Sequence, residues 1–254
     1  MKKTEEWLEQ HKDLNNAEFF CRLAPEIDPG RVLGVRRKEV RDLARMLSED
    51  ERAFFLQEIP HKYIEEDMIH TELLNLLKDP LQARKELDRF KGQIHSWAIT
   101  DSLTFPRLSD QDLLAMAQEF ARDSSSYVRR LAILWIMKRA LKPAKNAPGF
   151  ADSMAAKAEK ERTVFWIEQA LAIPGDEKEV VVAKGWLLCE ALIKTRDQAW
   201  PYFQSEQVDP AIRRIAIQKS IESLRISAAK KEELKMLRTS LKASASTRAD
   251  LSTR

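Results

Sequence analysis

The chain has 254 residues, a formal net charge of +3 and a charged fraction of 33%, with only six glycines. This length allows one large domain or two with a sizeable core. The scarcity of glycine argues against the turn-rich pattern of an all-β fold and favours helices. Apolar runs such as 131–137 are too short to cross a membrane, and the N-terminal residues MKKTEEW lack the apolar stretch of a secretory signal. We therefore expect a soluble, cytoplasmic protein.

The two cysteines and four histidines form no pattern that is typical of a metal or redox site. Cys21 and Cys189 are far apart, and neither belongs to a C-x-x-C pair. The histidines show no H-E-x-x-H spacing. Glu66 and His70 could share a helix face, but two ligands do not make a zinc site. We therefore predict that the protein uses neither a metal ion nor another cofactor.

The charge is distributed unevenly between the two halves of the sequence. Residues 1–128 carry 19 Lys and Arg against 25 Asp and Glu, a net charge of −6, whereas residues 129–254 carry 24 against 15, a net charge of +9. A basic half suits a polyanion such as nucleic acid. Solvated helix faces give the same count, so the asymmetry alone does not decide the partner.

Hydrophobic periodicity predicts helices along nearly the whole chain. Ser48 and Glu51 form a capping box at the start of one of them, and Pro80 occupies a first-turn position of another. Pro174 and Gly175 end the longest predicted helix. The predicted segments are 3–24 as two short helices, 37–47, 48–59, 63–77, 81–90, a helix around 97–101, 113–122, 124–141, 151–173, 178–194, 196–203, 209–225 and 228–241.

Two of the predicted helices carry similar sequences. VRRLAI at 128–133 resembles IRRIAI at 212–217, and the 84 residues between them equal two periods of 42, with a weaker middle copy at 181–186. The predicted fold is therefore all-α: a HEAT-like α-solenoid, a curved array of antiparallel helix pairs. We expect one domain over 1–241 and a disordered tail over 242–254. The small residue of each copy (Ala132, Gly185 or Ala216) would let helices approach closely. The paired arginines could bind a ligand or form salt bridges between repeats.

The stretch from Ile94 to Phe105, IHSWAITDSLTF, combines a large aromatic ring with a carboxylate. On a helix, Trp97 and Asp101 are four residues apart and share one face. A ring face and an anion both favour a cationic guest. The alternative is that Trp97 belongs to the core and Asp101 is a solvated neighbour.

Several segments together make the chain similar to the AlkD-like DNA alkylation repair proteins, a family of HEAT-like repeat DNA glycosylases and relatives. The resemblance covers about residues 30–238 and depends on the order and spacing of the segments rather than on any single motif. The matching segments are VLGVR (32–36), VRDLA (40–44), PHKYIEE (60–66) with His70, WAITDS (97–102), VRR (128–130), GW (185–186) and AIQKSIE (216–222).

The resemblance implies a function in base excision repair on duplex DNA that contains alkylated purines. It implies hydrolysis of the N-glycosidic bond of N3- or N7-alkylated purines, which are cationic and leave readily. Asp101 is then the carboxylate that stabilises the sugar cation and orients water. Trp97 and Trp186 are the aromatic walls of the site. The implied phosphate contacts are Arg129 or Arg130, with Lys184, Arg213 and Arg214.

The sequence also departs from the family pattern, and these departures keep other functions open. No tyrosine precedes Tyr63, and Cys189 stands where an arginine often follows the second tryptophan. One alternative is a catalytically silent module of the same fold that binds DNA or RNA. Another is a protein-interaction scaffold whose arginines pair internally. In the enzyme interpretation we expect a monomer without metal or membrane partners.

Overall fold

The computed structural model describes residues 2–141 and 154–252, with backbone alone for residue 2 and residues 242–252. Within these ranges the chain forms fourteen α-helices and two short 3-10 helices and contains no β-strand, so the predicted all-α class is confirmed. The chain divides into two compact units, Met1–Met116 and Ala117–Arg254. Whether both belong to one domain, as the sequence predicts, stays a prediction.

The first unit is built around α5 (Ile64–Leu74), which packs against α3 (Arg37–Met46), α6 (Pro80–Phe90) and α7 (Trp97–Ser102). α5 is buried on nearly all sides, including the carboxylates of Glu65, Glu66 and Asp67 in its first turn. The helices that begin in this unit are α1 (Lys2–Gln10), α2 (Leu14–Leu23), α3 (Arg37–Met46), α4 (Glu49–Phe55), α5 (Ile64–Leu74), α6 (Pro80–Phe90), α7 (Trp97–Ser102) and α8 (Asp110–Phe120).

The predicted start signals of two helices in the first unit are confirmed. The backbone N–H of Ser48 donates to Glu51 Oε2 at 2.8 Å, and the Glu51 N–H donates back to Ser48 Oγ at 3.3 Å, which completes the capping box of α4. Pro80 occupies the first turn of α6, and Asp79 caps it.

Gly34 lies where two segments of the first unit approach closely. Its φ is +81°, and a Cβ added there would lie 2.1 Å from the backbone oxygen of Asp13. The N–H of Gly34 donates to Glu65 Oε1 at 2.7 Å, so the first turn of α5 fixes this loop. Glycine is needed here because any side chain would collide with the backbone.

The second unit is built around α11, which packs against α9 on one side and α13 on the other. A Cβ added at Gly185 of α11 would lie 2.5 Å from Ile215 Cγ2 of α13, so the small residue permits the close helix contact that the sequence predicts. The helices of this unit are α9 (Ser126–Arg139), α10 (Met154–Ala172), α11 (Lys178–Lys194), α12 (Arg196–Gln204), α13 (Pro210–Glu222) and α14 (Ala228–Ser252).

Two ends of helices bear on the sequence predictions for the second unit. α10 ends at Ala172, just before the predicted break at Pro174 and Gly175, whereas its predicted start at 151 lies outside the described residues. α14 extends to Ser252, and the disorder that the composition of 242–254 predicts stays a prediction. None of the helices in the described ranges combines the length and apolarity that a membrane span requires.

Candidate functional site

Trp97 and Asp101 both lie on α7, a helix of six residues. Ser96 caps the helix, since its Oγ accepts a hydrogen bond from the Ala98 N–H at 3.1 Å. Because α7 spans both residues, their four-residue spacing directs the indole and the carboxylate to one face of the helix. Both side chains are partly exposed, whereas Ala98 and Ile99 between them are buried in the core.

The orientation of Trp97 is fixed by contacts with α2. Its Nε1–H donates to the carbonyl oxygen of Leu23 at 3.2 Å, and its ring centroid lies 6.0 Å from that of Phe20. Asp101 lies next to Thr100, whose hydroxyl donates to Asp101 Oδ1 at 3.4 Å. The indole is thus anchored by its polar edge, which leaves part of the ring surface accessible beside the carboxylate.

Asn75, which follows α5, holds the loop at the end of α7. Its Nδ2 donates to the Ser102 carbonyl oxygen at 2.9 Å, and its Oδ1 accepts from the N–H groups of Thr104 and Phe105, each at 2.8 Å. Phe105 has a φ of +42°, a conformation that non-glycine residues rarely adopt. The buried amide of Asn75 therefore fixes the backbone immediately after Asp101.

Trp186 lies on α11 in the second unit and is partly exposed. The Lys219 ammonium lies 5.6 Å from the centre of its indole ring, within the range of a cation–π contact. Since Trp97 and Asp101 belong to the first unit, the convergence of Trp186 with them stays a prediction.

Arg129 is buried, and its guanidinium contacts other parts of the second unit. Nη1 donates to the carbonyl oxygens of Asp123 and Ser124 at 2.7 and 2.9 Å, and Nη2 forms an ion pair with Glu177. The hydrogen bond from Arg129 lowers the pKa of the Glu177 carboxyl. This is the salt bridging that the sequence left open for the paired arginines; a phosphate contact of Arg129 stays a prediction.

Arg130 and Lys184 are also buried and contact backbone carbonyls. Arg130 Nη1 donates to the Glu179 carbonyl oxygen at 3.1 Å, and Lys184 Nζ donates to that of Ile173 at 2.5 Å. Burial lowers the pKa of the Lys184 ammonium, and the nearby Asp209 opposes that effect. Arg130 therefore connects α9 to α11, and Lys184 connects α11 to the segment that follows α10.

The two arginines of the second copy, Arg213 and Arg214, differ from each other. Arg213 is only 8% exposed, yet its Nε and Nη1 make no hydrogen bond within the described part of the chain. Arg214 is exposed at the surface of α13. A buried guanidinium with unused N–H groups is costly to the fold, and a phosphate contact of either arginine stays a prediction.

A buried polar cluster in the first unit was not predicted from the sequence. The Asp67 carboxylate is fully buried and pairs with Arg31 at 2.8 Å. Burial raises the Asp67 pKa to about 7, although Arg31 opposes that shift. His61 Nε2 and His70 Nδ1 are 2.9 Å apart. Burial lowers the His61 pKa to about 4, and the positive charge of Arg31 contributes to that shift. Burial also lowers the His70 pKa to about 2, with a further contribution from His61.

Both imidazole rings of this cluster pack against aromatic side chains of the first unit. The His70 ring stacks on Phe90 with centroids 4.0 Å apart, and the His61 ring stacks on Phe55 at 4.7 Å. In the ranges that the structure describes, no three His, Cys, Asp or Glu side chains are arranged to hold a metal.

The sequence prediction also missed a groove in the first unit, which we call the arginine groove. It has a volume of about 440 Å³. Its signal in the sequence was the spacing of Arg37, Arg41 and Arg45, each four residues after the last. The groove is lined by Arg37, Arg41, Ala44, Arg45, Glu72, Asn75, Leu76, Ser102, Thr104, Pro106 and Arg107.

Comparison with known proteins gives one family. A family model described as DNA alkylation repair enzyme matches residues 4–224, from α1 to just beyond the end of α13. No curated protein matches the chain. The matched range contains all eight residues that the sequence predicts for the site, in both units.

Proposed function

The chain belongs to the DNA alkylation repair enzyme family, and from that premise we propose that it is a DNA glycosylase. Its substrates are N3- or N7-alkylated purines in duplex DNA. The reaction is hydrolysis of the N-glycosidic bond by water, and the protein acts as a monomer without a cofactor. The HEAT-like arrangement belongs to this proposal, and it is supported by the packing of α3, α5 and α7 side by side and of α9, α11 and α13 side by side.

The chemistry needs a fixed anion rather than a strong acid. As the C1′–N bond breaks, its electron pair moves to the cationic base, which leaves as a neutral molecule. The sugar becomes an oxocarbenium-like cation, and water adds at C1′ and loses a proton to solvent. The Asp101 carboxylate stabilises the developing positive charge and orients that water. No general acid is required, because the leaving group already carries its positive charge.

The observation that carries the proposal is the position of Trp97 and Asp101 on α7. The two residues share one helix face, and both are partly exposed. Trp97 is anchored by its hydrogen bond to Leu23, and Asn75 holds the backbone that follows Asp101. Preorganisation of this kind is what electrostatic catalysis requires, since the charge must be in place before the transition state forms.

The second unit contributes phosphate contacts and a second aromatic wall in this proposal. Trp186 packs against the lesion, and its neighbour Lys219 adds positive charge to that face. Arg213 remains a proposed phosphate contact, and its Nε and Nη1 make no hydrogen bond in the described residues. Arg214 is exposed and can reach a phosphate directly. Arg129, Arg130 and Lys184 remain part of the proposal as phosphate contacts, and their hydrogen bonds to carbonyl oxygens also hold α9 and α11 in place.

The test is the excision of N7-methylguanine from duplex DNA by the wild type and by Asp101→Asn. The change is nearly isosteric and removes the negative charge, so base release should fall by roughly 10²-fold or more. Binding to undamaged duplex should hold or tighten, because a carboxylate near phosphates repels them. Asp88→Asn is the matched control: it removes an exposed carboxylate of α6 and should leave excision unchanged. Equal excision by wild type and Asp101→Asn would refute the assignment of the site.

A second candidate function is a protein-interaction scaffold, and one observation favours it. Arg129 makes the internal ion pair with Glu177 that this function expects of the repeated arginines. The two functions differ in duplex affinity: a scaffold releases no base and does not bind duplex DNA. A wild type that binds duplex DNA and releases no base would instead be a catalytically silent binding module.

A further inference from the structure

The arginine groove collects four positive charges in the part of the sequence that is acidic overall. Arg37, Arg41 and Arg45 are spaced by four residues along α3, so their side chains form a stripe on one face of the helix. Arg107 completes the groove from the loop after α7, where its Nη1 donates to the Leu76 carbonyl oxygen at 3.2 Å. Two separate segments of the first unit therefore direct guanidinium groups to one place.

The acidic neighbours do not neutralise this charge. Glu72 is the acidic residue that lines the groove, at 3.8 Å from Arg37 and 3.7 Å from Arg41. Its side chain is 17% exposed, whereas the side chains of Arg37 and Arg41 are 48% and 42% exposed. One half-buried carboxylate thus orients two guanidinium groups whose outer edges remain open to solvent.

Arg45 and Arg107 add further positive charge to the groove. The Arg45 side chain is 67% exposed, and it forms a long ion pair of 4.0 Å with Asp42 of the preceding turn. Arg107 is exposed, and its hydrogen bond to Leu76 is to a neutral carbonyl. Exposed pairs at such distances contribute little to stability, so folding alone does not account for four arginines in one groove.

The dimensions of the stripe suit a nucleic-acid strand. Eight residues separate Arg37 from Arg45, which is about 12 Å along a helix at 1.5 Å per residue. Phosphates of one B-DNA strand advance about 3.4 Å along the axis per nucleotide, so the stripe spans roughly three phosphate steps. Guanidinium groups suit this ligand because their planar fork binds two phosphate oxygens at once.

The groove is also continuous in sequence with the candidate catalytic helix. Ser102 and Thr104, which line it, directly follow Asp101 in the chain. Asn75 lines the groove as well and holds the backbone of both residues. A strand bound in the groove would therefore contact the same loop that ends α7.

We propose that the arginine groove binds the sugar-phosphate backbone of duplex DNA through Arg37, Arg41, Arg45 and Arg107. The inference rests on the proposed function in one respect, the choice of duplex DNA as the polyanion. It assigns to the first unit a phosphate-binding surface in addition to the phosphate contacts of the second unit.

The test measures the affinity of the protein for undamaged duplex DNA as a function of salt concentration. The double variant Arg41→Gln, Arg45→Gln removes two positive charges from the groove. The slope of log K against log salt should become less steep by about 0.9 for each lost phosphate contact, which is about 1.8 in total. The variant Arg41→Lys, Arg45→Lys keeps both charges and should keep the wild-type slope.

The matched control is Lys85→Gln, Arg89→Gln, which removes two exposed positive charges of α6 outside the groove. Its slope should equal that of the wild type. A slope that is unchanged in the groove variant, or reduced equally in the control, would overturn the proposal. Should the double variant fail to fold, Arg45→Gln alone, at the most exposed of the α3 positions, should reduce the slope by about 0.9.

Excision of N7-methylguanine by the wild type, measured in parallel, separates this inference from the proposed function. A wild type that releases the base, together with unchanged slopes in the groove variants, refutes the groove and keeps the glycosylase. A reduced slope in a protein that releases no base supports the groove and refutes the glycosylase. A wild type that does not bind duplex DNA overturns both.

Discussion

The two units of the molecule use their arginines in opposite ways. The basic half of the sequence, with its net charge of +9, contributes Arg129 and Arg130, whose guanidinium groups are buried against carbonyl oxygens of the second unit. The acidic half, with −6, contributes Arg37, Arg41 and Arg45, which are exposed along a groove of the first unit. The basic half, whose net charge suggests DNA binding, thus uses at least two of its arginines in contacts within the fold.

The comparison shows why a charge count is a poor guide to a binding surface. A buried arginine such as Arg129 contributes to the net charge of its segment, although its Nη1 and Nη2 groups already bind internal partners. An exposed arginine in an acidic segment keeps its fork available to a ligand. The number of available guanidinium groups, rather than the net charge, indicates where phosphates bind.

The largest expected effect concerns the structural arginine of the second unit. Arg129→Ala removes two hydrogen bonds to the carbonyl oxygens of Asp123 and Ser124. Hydrogen bonds from charged groups contribute about 2 kcal/mol each, so the free energy of unfolding should fall by about 4 kcal/mol in urea denaturation. Arg214→Ala, an exposed arginine in another helix of the same unit, is the control and should change it little. Equal losses in the two variants would contradict the structural role of Arg129.

The next effect tests the buried histidine pair of the first unit through pH. Burial lowers the His61 pKa to about 4, below the value of about 6.5 for an unfolded chain. The unfolded state therefore binds the proton more readily, and the stability that neutral His61 contributes above pH 6.5 is lost as the pH falls through the folded value. Because each pKa unit equals 1.36 kcal/mol, the loss from pH 6.5 to 4 is about 3 kcal/mol.

His61→Gln isolates this contribution, because glutamine does not titrate. The difference in unfolding free energy between wild type and variant should shrink as the pH falls from 6.5 to 4. Asp67 acts in the opposite direction: its pKa is raised to about 7, so its contribution is present at acid pH and lost as the pH rises through 7. Comparison of the two proteins at each pH cancels that term. A difference that does not change with pH would show that His61 is not buried in its neutral form.

A smaller effect is expected at Asn75, where the groove and the candidate catalytic helix meet. Asn75→Ala leaves two buried backbone N–H groups and the Ser102 carbonyl without their partner. The free energy of unfolding should fall by about 2 kcal/mol, and excision of N7-methylguanine should fall with it, because the loop after Asp101 loses its support. Thr71, on the same helix α5, bonds its own helix backbone, so Thr71→Ala is the control and should leave excision unchanged. Full excision in Asn75→Ala would show that this loop does not position Asp101.

The features that sequence predicted correctly are local ones. The capping box of Ser48 and Glu51 depends on residues three positions apart, and the close contact at Gly185 depends on one missing side chain. The helix around 97–101 followed from hydrophobic periodicity, and on a helix the spacing of four directs Trp97 and Asp101 to one face. Each of these features depends on one residue or on residues a few positions apart, so periodicity and residue type were sufficient to predict it.

The features that it missed depend on residues far apart in the chain. Arg129 meets Glu177 from 48 positions away, and Arg31 meets Asp67 from 36. The arginine groove forms because α3 and the loop with Arg107 lie side by side, and no short sequence pattern predicts that arrangement. Burial of a charged side chain is decided by such pairings, so the choice between structural and ligand-binding arginines needed the fold.

The smallest effect on stability, and the sharpest test of the comparison, concerns Arg214. It lies next to buried Arg213 in the sequence but is exposed on α13. Arg214→Gln should change the free energy of unfolding by less than about 0.5 kcal/mol, as surface substitutions generally do. If Arg214 contacts a phosphate, the slope of log K against log salt for duplex DNA should still become less steep by about 0.9. Gln218→Ala, one turn further along the exposed face of α13, removes no charge and is the control. A slope unchanged in Arg214→Gln, beside a reduced slope in the groove variants, would refute the phosphate contact of Arg214 and keep those of the exposed arginines of the first unit.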